Sequence, residues 1–154
     1  MRKIFLLAIM ICVLSFQGCT PKQKVIWESF DAQKLAAAQN SKMPVVLDFY
    51  ADWCVACHEL DDYTYSDPRV IQALNPFKRL QVNVTSSGNK EVMDLAERFN
   101  VEGLPTVIFL DGEGKEIKDS RIEGFFPPNK FLKLIASIPT ASQPPAETNA
   151  KVEN

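Results

Sequence analysis

Apolar and polar residues fall along this chain in blocks of two periods. Val45 to Tyr50, VVLDFY, is an apolar, β-favouring run broken only by Asp48, the pattern of a strand buried on both faces. Leu80 to Val84 and Thr106 to Leu110 read as further strands, and Val25-Ile26-Trp27 as a short one. Between them the spacing lengthens to that of amphipathic helices. Phe30, Leu35 and Ala38 mark one over 29–40, and Val92, Leu95 and Phe99 another over 91–99. Asp67-Pro68 offers a cap and a first-turn proline to a helix carrying Val70, Ile71 and Leu74. Ala, Glu and Leu over 54–62 favour one more, and Pro127-Pro128 starts a closing helix with Phe131, Leu132, Leu134 and Ile135. Asp111-Gly112-Glu113-Gly114 is a hairpin turn from which 115–122 pairs back. The order β-α-β-α-β-α-β-β-α predicts an α/β fold with a mixed central sheet and helices on both faces, a parallel core gaining an antiparallel edge from the last hairpin.

The ends follow other rules. Arg2 and Lys3 precede thirteen uncharged, mostly apolar residues, Ile4 to Phe16, the flank and length of an export signal and too short to span a bilayer comfortably. Phe16-Gln17-Gly18-Cys19 resembles the lipobox of bacterial lipoproteins, which favours lipidation at Cys19 over simple cleavage. Residues 1–19 are therefore expected to be a signal peptide of lipoprotein type, 20–24 a tether, 25–138 one folded domain and 139–154 a disordered tail rich in Pro, Ala, Thr, Asn and Glu. Removing the leader takes two of the 17 basic residues and none of the 19 acidic ones, leaving a net charge of −4 and no basic cluster suited to nucleic acid.

That division simplifies the cysteines. Of four, Cys12 lies in the leader and Cys19 at its end, so only Cys54 and Cys57 remain in the domain. An exported domain ordinarily spends cysteines on staples. One adjacent pair closes too small a loop to stabilise much, so the pair points to chemistry.

WCVACH, Trp53 to His58, can be read two ways. Cys-x-x-Cys-His is the attachment pattern of a c-type haem, and Trp-Cys-x-x-Cys at the end of a strand is a redox disulfide centre. Haem would need His58 and a second ligand such as Met43 or Met93, within a mostly helical wrap. The β-patterned run leading into Cys54 favours the disulfide, so no cofactor is expected.

With both loops in view, the run from Val45 to Ile122, including VVLDFYADWCVACHELDDYTYSDPRV, LQVNVT and VEGLPTVIFLDGEGKE, resembles the thioredoxin superfamily and, within it, the C-terminal thioredoxin-like domain of the thiol:disulfide interchange protein DsbD. The resemblance implies a thioredoxin-like fold and the activity of a thiol:disulfide oxidoreductase. It also implies that Pro105, in Leu104-Pro105-Thr106, is cis and lies against the Cys pair, where its loop offers backbone hydrogen bonds to a peptide.

At a helix N-terminus, Cys54 is favoured as a thiolate and is the expected nucleophile. Cys57, one turn on and expected to be more buried, resolves the mixed disulfide. Asp48 is the candidate base for Cys57, and desolvation would raise its pKa; the matching Asp of the resembled family lies beneath the pair. Asp61, four residues after Cys57 on the same face, matches a Glu that tunes the pair in that family. Trp53 is expected to cover the motif's edge.

Val55-Ala56 supplies no cation between the cysteines, and the same dipeptide occurs in the resembled family, which passes electrons outward. A reductase of envelope protein disulfides follows, monomeric, in the periplasm or an equivalent envelope space, anchored through Cys19 and re-reduced by a separate membrane-embedded donor. An oxidant or isomerase of envelope proteins is one alternative. A metal-delivery protein using Cys54, Cys57 and His58 is another.

Overall fold

The computed structural model describes residues 23–138 except 87, so the leader, Cys12, Cys19, 20–22 and the tail lie outside the described residues. Five strands form one mixed sheet in the order β1-β3-β2-β4-β5: β1 Glu28–Ser29, β2 Val45–Tyr50, β3 Lys78–Asn83, β4 Thr106–Leu110 and β5 Ile122–Glu123. β3 runs parallel to both β1 and β2. β4 runs antiparallel to β2 itself. The antiparallel part therefore begins at the centre of the sheet and is not confined to the final hairpin.

Five helices cover the sheet: α1 Ala32–Asn40, α2 Val55–Glu59, α3 Pro68–Leu74, α4 Lys90–Arg98 and α5 Pro128–Ile135. Their starts have visible causes. Asp31, Asp67 and Asn89 each accept a backbone N–H of the first turn through a side-chain oxygen. α2 is shorter than the pattern suggests, because Leu60–Thr64 continues it as a π-helical turn, in which Tyr65 N donates to Leu60 O at 2.9 Å.

Two expected strands change shape. Val25 to Trp27 do not pair with the sheet: Val25 donates its N–H to Tyr65 O and Trp27 packs on the Tyr65 ring, so the ladder starts only at Glu28. The returning strand of the hairpin makes one bridge, Glu116 to Leu110, then breaks where Asp119 takes a positive φ of 60° and Ser120 bonds back to Ile117 O, and resumes at Ile122. At the turn before it, Gly114 has φ +79°, a conformation that L side chains rarely adopt, so the backbone favours glycine there.

Strand alternation sorts the core into two layers. Val45, Leu47, Phe49, Leu80, Val82, Ile108 and Leu110 meet α1 and α4 on one face. Val46, Val107, Phe109 and Ile122 meet α3, α5 and the π turn on the other. Phe131 of α5 is fully buried there, edge-on to Tyr65 and to Phe109 at 5.8 and 6.3 Å between ring centres. Phe131→Ala should cost about 3–5 kcal/mol of stability, measured as a lower urea midpoint at unchanged slope.

Candidate active site

β2 delivers the chain to the site. Past Tyr50 the loop Ala51–Trp53 is pinned to the end of β3: Val84 N donates to Tyr50 O, Asp52 N to Thr85 Oγ1, and Asn83 Nδ2 to Tyr50 Oη and Asp52 Oδ1. Cys54 then caps α2, and Cys54 and Cys57 form a disulfide. Cys57 N donates to Cys54 Sγ at 3.2 Å, so an N–H of the helix's first turn faces the Cys54 sulfur. The two cysteines are equally enclosed, 6% and 7% exposed, which corrects the expectation that Cys57 is the more buried. What distinguishes them is position: Cys54 lies at the cap and Cys57 inside the helix.

The disulfide packs with Ala51, Tyr50, Ala56, Val84 and Leu104. The Leu104–Pro105 peptide is cis, Pro105 O accepts from Gly124 N at 2.8 Å, and Thr106 Oγ1 donates to Gly103 O at 2.7 Å. Trp53, 68% exposed, lies against none of the core; with Val84, Met93, Val101 and Leu104 it lines an open groove of about 330 Å³ next to the pair.

Asp48 shares a sheet face with Val46 and so points into the layer that holds Tyr65 and the π turn. It is 2% exposed and opposite Gln81 in the β2–β3 register, and Gln81 Nε2 donates to Asp48 Oδ2 at 3.0 Å. Burial pushes its pKa up to about 7, against the Gln81 hydrogen bond and the nearby Tyr65 hydroxyl, with the Asp61 charge adding to the rise. The Tyr65 hydroxyl stops short of a well-formed bond, since Asp48 Oδ1 and Tyr65 Oη are both buried without a partner at hydrogen-bond geometry. Burial and the Asp48 charge in turn hold Tyr65 well above the usual phenol range.

Asp61 sits in the π turn, half exposed and paired with Lys24. His58 turns its Nε2 toward Asp52 O at 2.9 Å. Its ring therefore braces the loop before Cys54 and does not converge with the two sulfurs, which leaves the metal reading without its third ligand.

This architecture can be matched to known proteins. Residues 30–139 match the model of the Thioredoxin-like domain family. The chain belongs to that family. Among curated relatives, the thiol:disulfide interchange protein DsbD of Photorhabdus laumondii is 46% identical over 101 residues, covering 66% of this chain and 17% of the relative. DsbD of Actinobacillus pleuropneumoniae is 49% identical over 108 residues, 69% of this chain and 18% of the relative. The chain thus spans less than a fifth of the length of these relatives. Among solved structures, the reduced DsbD C-terminal domain of Neisseria meningitidis matches with a TM-score of 0.60 and 31% identity, covering 71% of this chain and 97% of that one.

In this DsbD-like thioredoxin domain, Leu104 packs on the Cys54–Cys57 pair, and Trp53 lines the adjoining groove with Leu104. Asp48 lies in the layer beneath β2. Three residues escaped sequence reasoning: Gln81, Tyr65 and Lys24. Gln81 had a readable signal, because in LQVNV it is the polar position alternating with Leu80 and Val82, on the face Asp48 shares. Tyr65 and Lys24 had none, since the π turn that places them breaks the regular helical spacing.

Proposed function

We propose that this thiol:disulfide oxidoreductase domain is a reductase of protein disulfides in the bacterial envelope. The observation that carries the reading is the Cys54–Cys57 disulfide at the start of α2, with Cys54 as the cap; the strand that leads to it, β2, carries Asp48, a buried carboxyl whose pKa is pushed up to about 7. In the reduced protein, the Cys54 thiolate attacks one sulfur of a client disulfide, and the client's other sulfur leaves as a thiolate. The Cys57 thiol gives its proton to Asp48, attacks Cys54 Sγ and releases the client's first sulfur as a thiolate. The client gains two electrons and the domain ends oxidised, the state of this structure. A carboxylate near pKa 7 suits that transfer, because it accepts a proton at neutral pH and yields it again.

The groove beside Trp53 and the backbone around cis-Pro105 receive the client chain. Val55 and Ala56 bring no charge to the pair, so nothing there stabilises the reduced form as a strong oxidant requires. Export, lipidation at Cys19, residence in the envelope as a monomer and re-reduction by a separate membrane-embedded donor complete the proposal. No described helix is long and apolar enough to cross a membrane.

Equilibration of the Cys54–Cys57 couple against a thiol redox buffer tests the direction. A potential near about −270 mV, as in thioredoxin, is expected; a value near about −120 mV would make the protein an oxidant.

A further inference from the structure

The groove beside the disulfide is apolar along its wall and carries a single charge. Val84 and Leu104 pack on the Cys54–Cys57 pair and also line the groove, which Trp53 and Met93 continue. Trp53 and Met93 stand 68% and 40% exposed, so large apolar side chains there face solvent. Glu102 is the one ionisable residue in the lining, and it is exposed. Its Oε1 accepts from Asn100 Nδ2 at 3.0 Å, and among the described residues no cation forms an ion pair with it. Arg121 feels the Glu102 charge, but its guanidinium is taken by Glu116 and by the carbonyls of Phe99 and Asn100. Glu102 precedes Leu104 by two residues, a span of at most about 7 Å between Cα atoms. The carboxylate is therefore within reach of the residues that flank a client cysteine held at the pair.

We propose that Glu102 is a specificity-determining residue, favouring client segments that carry an arginine or lysine within three residues of the attacked cysteine. Such selectivity rests on the reading of this groove as the client's seat. Arginine and lysine match both parts of the groove: their methylene stems cover apolar surface while the charged head stays in water at the rim. Beside Trp53 the head also gains from the indole face, and Glu102 supplies the ion pair. An aliphatic client residue would use the wall and leave Glu102 solvated, and an acidic one would meet a like charge. Because Glu102 is exposed, the discrimination is modest, roughly 2- to 5-fold per unit of client charge, and salt reduces it.

The test uses three oxidised peptides, each with one internal disulfide and identical except for Arg, Gln or Glu two residues from the attacked cysteine. The rate constant for reduction by the pre-reduced full chain is divided by that with dithiothreitol, since a nearby cation also speeds thiol exchange by itself. The normalised constants should fall in the order Arg, Gln, Glu, with the spread narrowing in high salt. Glu102→Gln should level the three, and Glu102→Arg should reverse their order. Each variant is judged on the ratio between its own peptides, so a general loss of activity does not mimic the effect. Equal constants for the three peptides in wild type, or an order that persists unchanged in Glu102→Gln, would overturn the specificity and leave the reductase reading standing. Failure to reduce any of the peptides would overturn that reading, and the specificity with it.

Discussion

Reduced protein carrying Cys57→Ala is expected to stop at the mixed disulfide, appearing as a covalent protein–client band that dithiothreitol removes. Cys54→Ala should give no such band and no turnover. The asymmetry comes from the helix. Cys54 occupies the cap of α2 and its sulfur accepts the Cys57 N–H, so the free N–H groups of the first turn favour the thiolate there. Equal burial of the two cysteines means that residue exposure does not assign the roles; helix position does. If Cys57→Ala traps nothing while Cys54→Ala traps a client, the assignment of nucleophile and resolver is reversed.

Asp48→Asn should have two consequences of opposite sense. It removes the proposed proton acceptor, so resolution of the mixed disulfide should slow about 100-fold at neutral pH, the low end of what a positioned base supplies, and the limb of the pH profile near 7 should vanish. It also removes a buried charge. A carboxyl with a folded pKa of about 7 and an unfolded value near 3.8 binds its proton more tightly in the native state. That contribution to stability is complete below about pH 4, falls as pH rises toward 7, and is lost above it, for a total of about 4 kcal/mol as an upper figure. Oxidised Asp48→Asn should therefore match wild type near pH 4 and exceed it at pH 8 in urea unfolding. Equal stability at both pH values would show that Asp48 is not held protonated by the fold.

Much of this was legible from hydrophobic period alone. β4 lies where TVIFL places it, and α3 starts at Pro68 behind the Asp67 cap as read. Asp48 stands out in any reading because it interrupts an otherwise apolar buried strand. The parts that were not legible depend on interactions distant in sequence. Val25 to Trp27 carry a strand-like composition, but their backbone and rings are taken by Tyr65, 38 or more residues on. The hairpin return loses its ladder to a local turn at Lys118 to Ser120, whose side-chain bond competes with pairing. The direction of β4 beside β2 is a matter of topology, and alternation of elements argues only weakly about it. Lys24 and Asp61 meet because a π turn offsets α2, and composition gives no notice of one.

The margins of the sheet bear on how such a domain survives its work. β1 and β5, the outermost strands, are two residues long, and each carries a glutamate: Glu28, paired with Lys78, and Glu123. A protein that handles chains with broken disulfides meets segments in search of a strand to join. Long bare edges would recruit them into aggregates. Here the longer strands are interior, and a chain that meets either margin of the sheet finds only a two-residue strand to extend.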